Sequence, residues 1–201
     1  MKNFQMISTF DWIPLLVEIM QQPELWKVDT YLRDYPQGPF EDVETIFLRF
    51  PPVSVSELER RERDPHECVW MDGAVHLPAA RPLIFGLMSR VQGERLGRVM
   101  INKVRCGGRI YAHADTAEHA EYWERYHLVL KTAPGCNFRA GAETIHMPVG
   151  SVWWFENALE HEVVNNSVDE RIHMIVDIRS SHIDVVGATP TRAIPVAQVS
   201  A

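Results

Sequence analysis

Cysteine is scarce in this sequence. The 201 residues include three cysteines, Cys68, Cys106 and Cys136, and no two of them form a Cys-x-x-Cys pair. An odd count with wide spacing argues against a disulfide framework and against a zinc ribbon. Because unpaired thiols are typical of reducing compartments, we expect a cytoplasmic protein.

Long apolar runs and clusters of basic residues are also missing. The N-terminal stretch MKNFQMISTFDWIPLLVEIM is interrupted by Asp11, Pro14 and Glu18, and no small-residue cleavage site follows it, which argues against a signal peptide. No stretch approaches the ~20 apolar residues that span a membrane. The net charge is −7 and Lys and Arg are dispersed, whereas binding to nucleic-acid phosphates needs clustered Lys and Arg. We therefore predict neither a membrane nor a nucleic-acid partner.

What the sequence does contain is the composition of an ordinary globular domain, with 46% hydrophobic and 23% charged residues. Its first half has a mixed pattern. Helical spacing of apolar residues predicts three helices, at 11–22, 24–32 and 78–94. A β-rich run predicts a strand at 44–50, and the polar stretch SVSELERRERD predicts the start of an exposed helix.

From about residue 97, short β-rich runs alternate with turn signals. The runs are GRVMINKVRC, RIYAHAD, YWERYHLVLKT, CNFRAG, ETIHMPV, SVWWFE, HEVVNN and RIHMIVDIR. Many short strands at roughly 8–12-residue spacing are typical of a β-sandwich or a barrel. We predict a helical or mixed N-terminal extension at 1–96 that packs on the core, a β core at 97–180 and a coil tail at 181–201.

A histidine and an aspartate in RIYAHAD form the first candidate site. Residues i and i+2 of a strand point to the same face, so His113 and Asp115 project together. A distant histidine would complete the two imidazoles and one carboxylate that hold non-haem iron(II). Taken alone the pair is weak, since most His-x-Asp pairs lie at the surface or bond to each other. A second pair, His182-x-Asp184, has no histidine after it. The candidates for the distant histidine are His119, His127, His146, His161, His173 and His182.

The region from 151 to 179 adds an arginine to this pattern. His161 begins one predicted strand and Arg171 begins the next, ten positions later. The polar stretch NNSVDE between them predicts a turn that reverses the chain and places both residues on adjacent strands, facing one cavity. A guanidinium there could hold the distal carboxylate of a diacid through two parallel hydrogen bonds. The alternatives are a surface ion pair of Arg171 with Glu170 or Asp169 and a packed His161.

The segment from about 98 to 179 resembles the aspartyl/asparaginyl β-hydroxylase family. The matching stretches, in order, are GGRIYAHAD, ERYHLVLKT, GSVWWFEN, EHEVVNN and RIHMIVDI. The resemblance implies a mainly β protein with N-terminal helices and a double-stranded β-helix (jelly-roll, cupin-like) core. It also implies an Fe(II)- and 2-oxoglutarate-dependent dioxygenase.

The resemblance also assigns roles to individual residues. It implies three iron ligands, which are His113, Asp115 and His161. It makes Arg171 the anchor for the distal carboxylate of 2-oxoglutarate and His127 a second contact to the same cosubstrate. Arg125 shares the strand face of His127 and falls where the family has an arginine near the substrate or cosubstrate.

The implied reaction is hydroxylation of an unactivated C–H bond in an amino acid, or in an Asp/Asn-type side chain of a peptide or protein, with release of succinate and CO2. One alternative is a cupin-type metalloenzyme that does not use 2-oxoglutarate and does not need Arg171. Another is a non-catalytic jelly-roll binding module. Of the remaining histidines, His119 is expected to be solvated in a polar loop, and His173 is expected to be hydrogen-bonded in a structural role.

Overall fold

Two antiparallel β-sheets pack against each other in this protein. The computed structural model describes residues 1–35, 38–52 and 66–180. The larger sheet has the strand order β1 (Phe4–Thr9), β9 (Ser151–Phe155), β6 (Glu124–Lys131), β11 (Arg171–Ser180), β4 (Gly93–Val104), β2 (Val43–Phe50) and β3 (Val69–Trp70). The smaller sheet has the order β5 (Arg109–His113), β10 (His161–Asn165), β7 (Cys136–Ala140) and β8 (Glu143–Ile145). One apolar cluster takes members from both sheets. This arrangement confirms the predicted mainly β fold with a jelly-roll core.

The helices come mostly from the first half of the chain. They are α1 (Ile13–Gln21), a 3-10 helix (Pro23–Lys27), α2 (Tyr31–Asp34), α3 (Gly73–His76), α4 (Ala80–Arg90) and α5 (Ala117–Tyr122). Buried residues of α1 and α4, among them Leu15 and Ile84, pack on the outer face of the larger sheet. Within the described part of the chain, no helix is both long enough and apolar enough to cross a membrane.

Strand β11 shows how the larger sheet separates its two faces. Its even-numbered apolar residues pack in the cluster beneath the helices, and they are Ile172, Met174, Val176 and Ile178. Because side chains alternate along a strand, the odd-numbered residues face the other way, toward the smaller sheet. These are Arg171, His173, Ile175 and Asp177, all buried. Three polar side chains are thereby placed in the space between the sheets.

Most of the predicted elements are present in the structure. The helices at 11–22 and 78–94, the strand at 44–50 and the eight runs after residue 97 are confirmed. The helix predicted at 24–32 is instead divided between the 3-10 helix and α2. The polar helix in SVSELERRERD, the tail at 181–201 and the His182-x-Asp184 pair lie outside the described residues.

The N-terminal residues contribute strands to the larger sheet. Strand β1, which the sequence did not predict, pairs with β9, and β2 pairs with β4. The proposed division into an extension, a core and a tail stays a prediction. Whatever its boundaries, residues before 97 share hydrogen-bonded sheet structure with residues after it.

The predicted reversal between His161 and Arg171 is wrong. Strand β10 pairs with β5 and β7 in the smaller sheet, whereas β11 lies between β6 and β4 in the larger one. The connection therefore crosses from one sheet to the other. Buried Asn165 holds this crossing, because its Nδ2 donates to the carbonyl oxygens of Val104, Arg105 and Asp169. His161 and Arg171 consequently approach the interior from different sheets.

Candidate active site

Two histidines lie side by side on adjacent strands of the smaller sheet. His113, at the end of β5, is paired directly with His161, at the start of β10, and their ring centroids are 4.3 Å apart. Asp115 follows two residues after β5. One ligand atom from each of these three residues lies within 4.8 Å of the others, and no further group of this kind occurs among the described residues. The structure thus brings together the three side chains that the family resemblance implies as ligands.

Backbone carbonyls fix the orientation of both imidazoles. The Nδ1–H of His113 donates to the Tyr111 carbonyl at 2.7 Å, and the Nδ1–H of His161 donates to the Leu159 carbonyl at 2.9 Å. A carbonyl oxygen only accepts, so each ring carries its proton on Nδ1 and keeps a lone pair on Nε2. Burial, with a contribution from His113, lowers the pKa of His161 to about 4. The free lone pair on Nε2 and the lowered pKa both suit a neutral imidazole that binds a metal ion through Nε2.

The carboxylate of Asp115 is ionised and held by two side chains. Arg125 Nη1 lies 3.0 Å from Oδ1 and 2.8 Å from Oδ2, and Asn157 Nδ2 donates to Oδ2 at 3.3 Å. Burial raises the pKa of Asp115, but the neighbouring Arg125 and His119 outweigh burial and leave this pKa below its ordinary value. Two nitrogen donors and one anionic oxygen form a set that fits Fe(II).

A cavity of about 350 Å³ lies beside these three residues. Its polar lining includes Arg125 and His127, and apolar side chains from several elements form much of the rest, among them Leu32, Phe50, Met100, Phe138 and Ile175. This volume is within the range of pockets that bind small molecules. The cavity has room for a ligand next to the three converging side chains.

Arg171 is buried in the interior, with 1% of its surface exposed. Its Nη2 lies 2.9 Å from Nδ1 of His173 and 3.4 Å from Nδ1 of His127. Burial lowers the pKa of Arg171 to about 10, so the guanidinium is still charged at neutral pH. Its Nη1 is buried without a hydrogen-bond partner among the described residues. A buried cationic donor without an acceptor is costly, and the carboxylate of a ligand would satisfy it.

The guanidinium of Arg171 is set back from the larger cavity. Arg171 and His173 line a second cavity of about 10 Å³, which is about the size of one water molecule. Phe138 lines both cavities, and its ring centroid is 5.9 Å from the central carbon of the guanidinium. His127 lines the larger cavity and contacts Arg171, so it connects the two.

His119 is buried, which makes the expectation of a solvated loop histidine wrong. It lies in α5, where Thr116 caps the helix by accepting a hydrogen bond from the His119 amide at 3.3 Å. Its Nε2 is 2.9 Å from Arg125 Nη2 and 3.1 Å from Asp177 Oδ2. The threonine three residues before His119 was a signal for a helix start that could have been used.

Asp177 is the site residue that sequence reasoning missed. It is fully buried, and its carboxylate accepts from Arg125 Nε at 2.8 Å and from Arg125 Nη2 at 3.0 Å. The available signal was a single acidic residue within MIVDI, the apolar middle of β11. His146, by contrast, bonds through Nδ1 to the Cys136 carbonyl and does not line the larger cavity.

Comparisons with known proteins give a family match and one curated relative. A family model described as aspartyl/asparaginyl beta-hydroxylase matches residues 73–181. The L-proline cis-4-hydroxylase of Rhizobium meliloti (strain 1021) is 31% identical over 93 residues, which make up 46% of this chain and 31% of that protein. The chain therefore matches about a third of the length of this relative.

Solved structures with the same fold are more distant in sequence. An oxidoreductase of the 2OG-Fe(II) oxygenase family from Burkholderia pseudomallei is 16% identical, with a TM-score of 0.52 over 86% of this chain and 91% of that one. A prolyl hydroxylase from Trichoplax adhaerens, in complex with a hypoxia inducible factor peptide fragment, is 11% identical, with a TM-score of 0.59 over 89% of this chain and 84% of that one. These likenesses support the fold. The family match, which spans more than half of the residues, shows that the chain belongs to the aspartyl/asparaginyl β-hydroxylase family.

Proposed function

We propose that this protein is an Fe(II)- and 2-oxoglutarate-dependent dioxygenase that hydroxylates an unactivated C–H bond. The observation that carries the proposal is the convergence of His113, Asp115 and His161 beside a cavity of about 350 Å³. Two neutral imidazoles and one carboxylate on one side of a metal ion leave its other positions open. An enzyme that must bind a cosubstrate, oxygen and a substrate together needs this open side.

In this proposal the three side chains hold Fe(II). Bound iron, 2-oxoglutarate and O2 together supply the oxidising chemistry that converts C–H to C–OH, with 2-oxoglutarate leaving as succinate and CO2. The chain itself fixes the ligand atoms through the Tyr111 and Leu159 carbonyls and surrounds the reacting carbon with apolar side chains. An apolar lining keeps water away from the reacting carbon and strengthens electrostatic contacts within the site.

Arg171 and His127 are the proposed contacts to 2-oxoglutarate. The unpartnered Nη1 of Arg171 is a buried cationic donor, which suits the distal carboxylate. His127 lines the larger cavity and lies next to Arg171, so it can bond to the same cosubstrate. The guanidinium of Arg125 already bonds to Asp115 and Asp177. Neither of these contacts points Arg125 toward 2-oxoglutarate, and a direct contact between Arg125 and 2-oxoglutarate stays a prediction.

The substrate is proposed to be an amino acid, either free or within a peptide or protein. The curated relative acts on L-proline, which makes the free amino acid proline the first compound to test. The family description adds Asp and Asn residues as candidates. The apolar side chains of Leu32, Phe50, Met100 and Ile175 in the cavity wall suit a ring or methylene group of either kind of substrate.

A succinate-release assay tests the proposal. Purified protein loaded with iron would be screened against L-proline, other free amino acids and peptides that contain Asp or Asn, with mass detection of a gain of one oxygen. We expect Asp115→Ala to abolish succinate formation, because it removes the anionic ligand. The surface variant Asp169→Asn is the control for loss of a carboxylate and should keep full activity.

Other outcomes would contradict the proposal in distinguishable ways. Full succinate production by Asp115→Ala would show that the ligand assignment is wrong. Metal uptake without consumption of 2-oxoglutarate would indicate a cupin-type metalloenzyme. A protein that takes up neither Fe(II) nor Mn(II) in an anaerobic titration would indicate a non-catalytic binding module.

A further inference from the structure

Asp177 is a buried carboxylate that the proposed chemistry does not use. We propose that Asp177, together with His119, is a positioning residue that holds Arg125 against Asp115 and thereby prepares Asp115 to bind the metal ion. This inference rests on the proposed function, since it concerns the same metal site. It assigns Arg125 a task toward the metal ligand as well as any task toward the cosubstrate.

The register of the larger sheet makes this contact. Asp177 on β11 is paired directly with Arg125 on β6. The two hydrogen bonds from Nε and Nη2 of Arg125 form a two-pronged contact that fixes the plane of the guanidinium. His119 braces the same edge from α5, since its Nε2 contacts both Arg125 Nη2 and Asp177 Oδ2.

With two of its nitrogens held by Asp177, Arg125 presents the third, Nη1, to Asp115. This nitrogen lies within 3.0 Å of both carboxylate oxygens of Asp115. Oδ1 accepts a hydrogen bond from Arg125 Nη1, and Oδ2 accepts one from Asn157 Nδ2. Both oxygens of Asp115 are therefore held in place, and each keeps lone-pair capacity to bind a cation.

The charge of Asp177 explains why a second carboxylate is present. A single pair of Asp115 and Arg125 would be neutral, and the guanidinium would repel a divalent cation placed beside it. With Asp177 included, two negative charges and one positive charge leave the group with one net negative charge. The side chain that orients the metal ligand can thus be cationic without cancelling the attraction of the site for a metal ion.

Both members of the supporting pair lie away from water. Asp177 is fully buried, and the side chain of Arg125 is 11% exposed. A buried carboxylate is costly unless it is paired and hydrogen-bonded, so an apolar residue would serve the core at least as well if only stability were at stake. The presence of a carboxylate at position 177 is therefore better explained by a role toward Arg125 and Asp115 than by a contribution to stability.

The test is an anaerobic Mn(II) titration of the full-length protein by calorimetry, followed by titration of 2-oxoglutarate at saturating Mn(II). We expect Asp177→Asn to weaken Mn(II) binding by about tenfold or more, as is typical when a group that orients a metal ligand is lost. At saturating Mn(II) the affinity for 2-oxoglutarate should be unchanged. A general loosening of the fold would weaken both affinities, so the difference between them separates positioning from a purely structural role.

Asp169→Asn, which removes a surface carboxylate just before β11, is the matched control and should bind Mn(II) like the wild type. If Asp177→Asn does not fold, the double variant Arg125→Met/Asp177→Leu replaces the buried pair with apolar groups, an exchange that is often neutral for stability. It should also weaken Mn(II) binding, because Arg125 no longer positions Asp115. Wild-type Mn(II) affinity in either folded variant, or an equal loss of 2-oxoglutarate affinity in Asp177→Asn, would overturn the inference. Failure of the wild type itself to bind Mn(II) would instead count against the proposed function.

Discussion

At the scale of single residues, the interior polar contacts depend on which atom of each ring carries a proton. Arg171 Nη2 donates to Nδ1 of His173 at 2.9 Å, so the proton of neutral His173 lies on Nε2. That Nε2 and the Nη1 of Arg171 are both buried without partners among the described residues. Two donors without acceptors, in a cationic environment, are the feature that most clearly indicates an anionic ligand.

Replacing Arg171 with lysine tests this role. A lysine keeps the positive charge but lacks the planar guanidinium, in which Nη2 bonds to His173 and Nη1 is left for the ligand. A hydrogen bond to a charged group contributes about 1.5–3 kcal/mol, so Arg171→Lys should weaken 2-oxoglutarate binding by roughly 10–150-fold. Calorimetric titration at saturating Mn(II) measures this change. An unchanged affinity for 2-oxoglutarate would remove Arg171 from the site.

The residues proposed as metal ligands were accessible to sequence reasoning in different degrees. Strand alternation placed His113 and Asp115 on one face without outside information. The choice of His161 among several histidines came from the family resemblance. The contact between Arg125 and Asp177 depends on the register of two strands that are far apart in sequence, and no local pattern determines such a register.

At the scale of elements, the turn before β9 joins three parts of the fold. The Gly150 amide donates to the Val129 carbonyl at 2.9 Å, and its own carbonyl accepts from the Phe10 amide at 2.9 Å. Gly150 has a φ of +78°, and a Cβ at this position would lie 2.7 Å from the ring of Trp12. This glycine therefore allows Trp12, at the start of α1, to pack closely against the turn before β9. Strand β9 is the neighbour of the edge strand β1.

A pair of glycine substitutions checks this reading of the turn. Gly150→Ala should lower the free energy of unfolding by about 1–3 kcal/mol, because it combines a strained backbone with a clash against Trp12. Gly86→Ala should raise it by about 0.5–1 kcal/mol, because Gly86 lies within α4 and a Cβ there meets nothing within 4 Å. Urea denaturation measures both changes. Similar effects of the two substitutions would contradict the role given to the turn.

The elements themselves were largely predictable, whereas their partners were not. Short β-rich runs between turn signals marked eight strands after residue 97, and helical spacing marked α1 and α4. The same patterns carry no information on which sheet a strand joins, which is why the predicted reversal between β10 and β11 was wrong. The short strand β1 went unpredicted because its six residues, FQMIST, mix polar and apolar types and its partner lies far along the chain.

At the scale of the whole molecule, the space between the sheets contains histidines that are buried in their neutral form. Burial, together with the nearby Arg171, holds the pKa of His127 and the pKa of His173 well below the ordinary value of 6.5. In the unfolded chain both would titrate near 6.5. Below that pH the unfolded state binds protons that the folded state does not, so folding stability must fall as the pH falls.

The stability of the metal-free protein should therefore decrease between pH 6.5 and 5. Each histidine that stays neutral in the folded state contributes up to about 1.4 kcal/mol per pH unit to this decrease. The variant His173→Asn keeps an acceptor for Arg171 but cannot titrate, so its stability should depend less steeply on pH. Urea denaturation at several pH values compares the two slopes. Equal slopes would show that His173 binds protons equally in the folded and unfolded states, which would contradict a lowered pKa.

The pairing of β1 with β9 has a consequence for the order in which the protein can be assembled. Phe4 lies opposite Phe155, so β1 has no partner until β9, late in the described chain, has been synthesised. The central strand β11 follows later still, between β6 and β4. The larger sheet thus cannot close until β11 has been synthesised, and its earlier strands have exposed edges until then. Slow folding is what these pairings between distant parts of the chain lead us to expect.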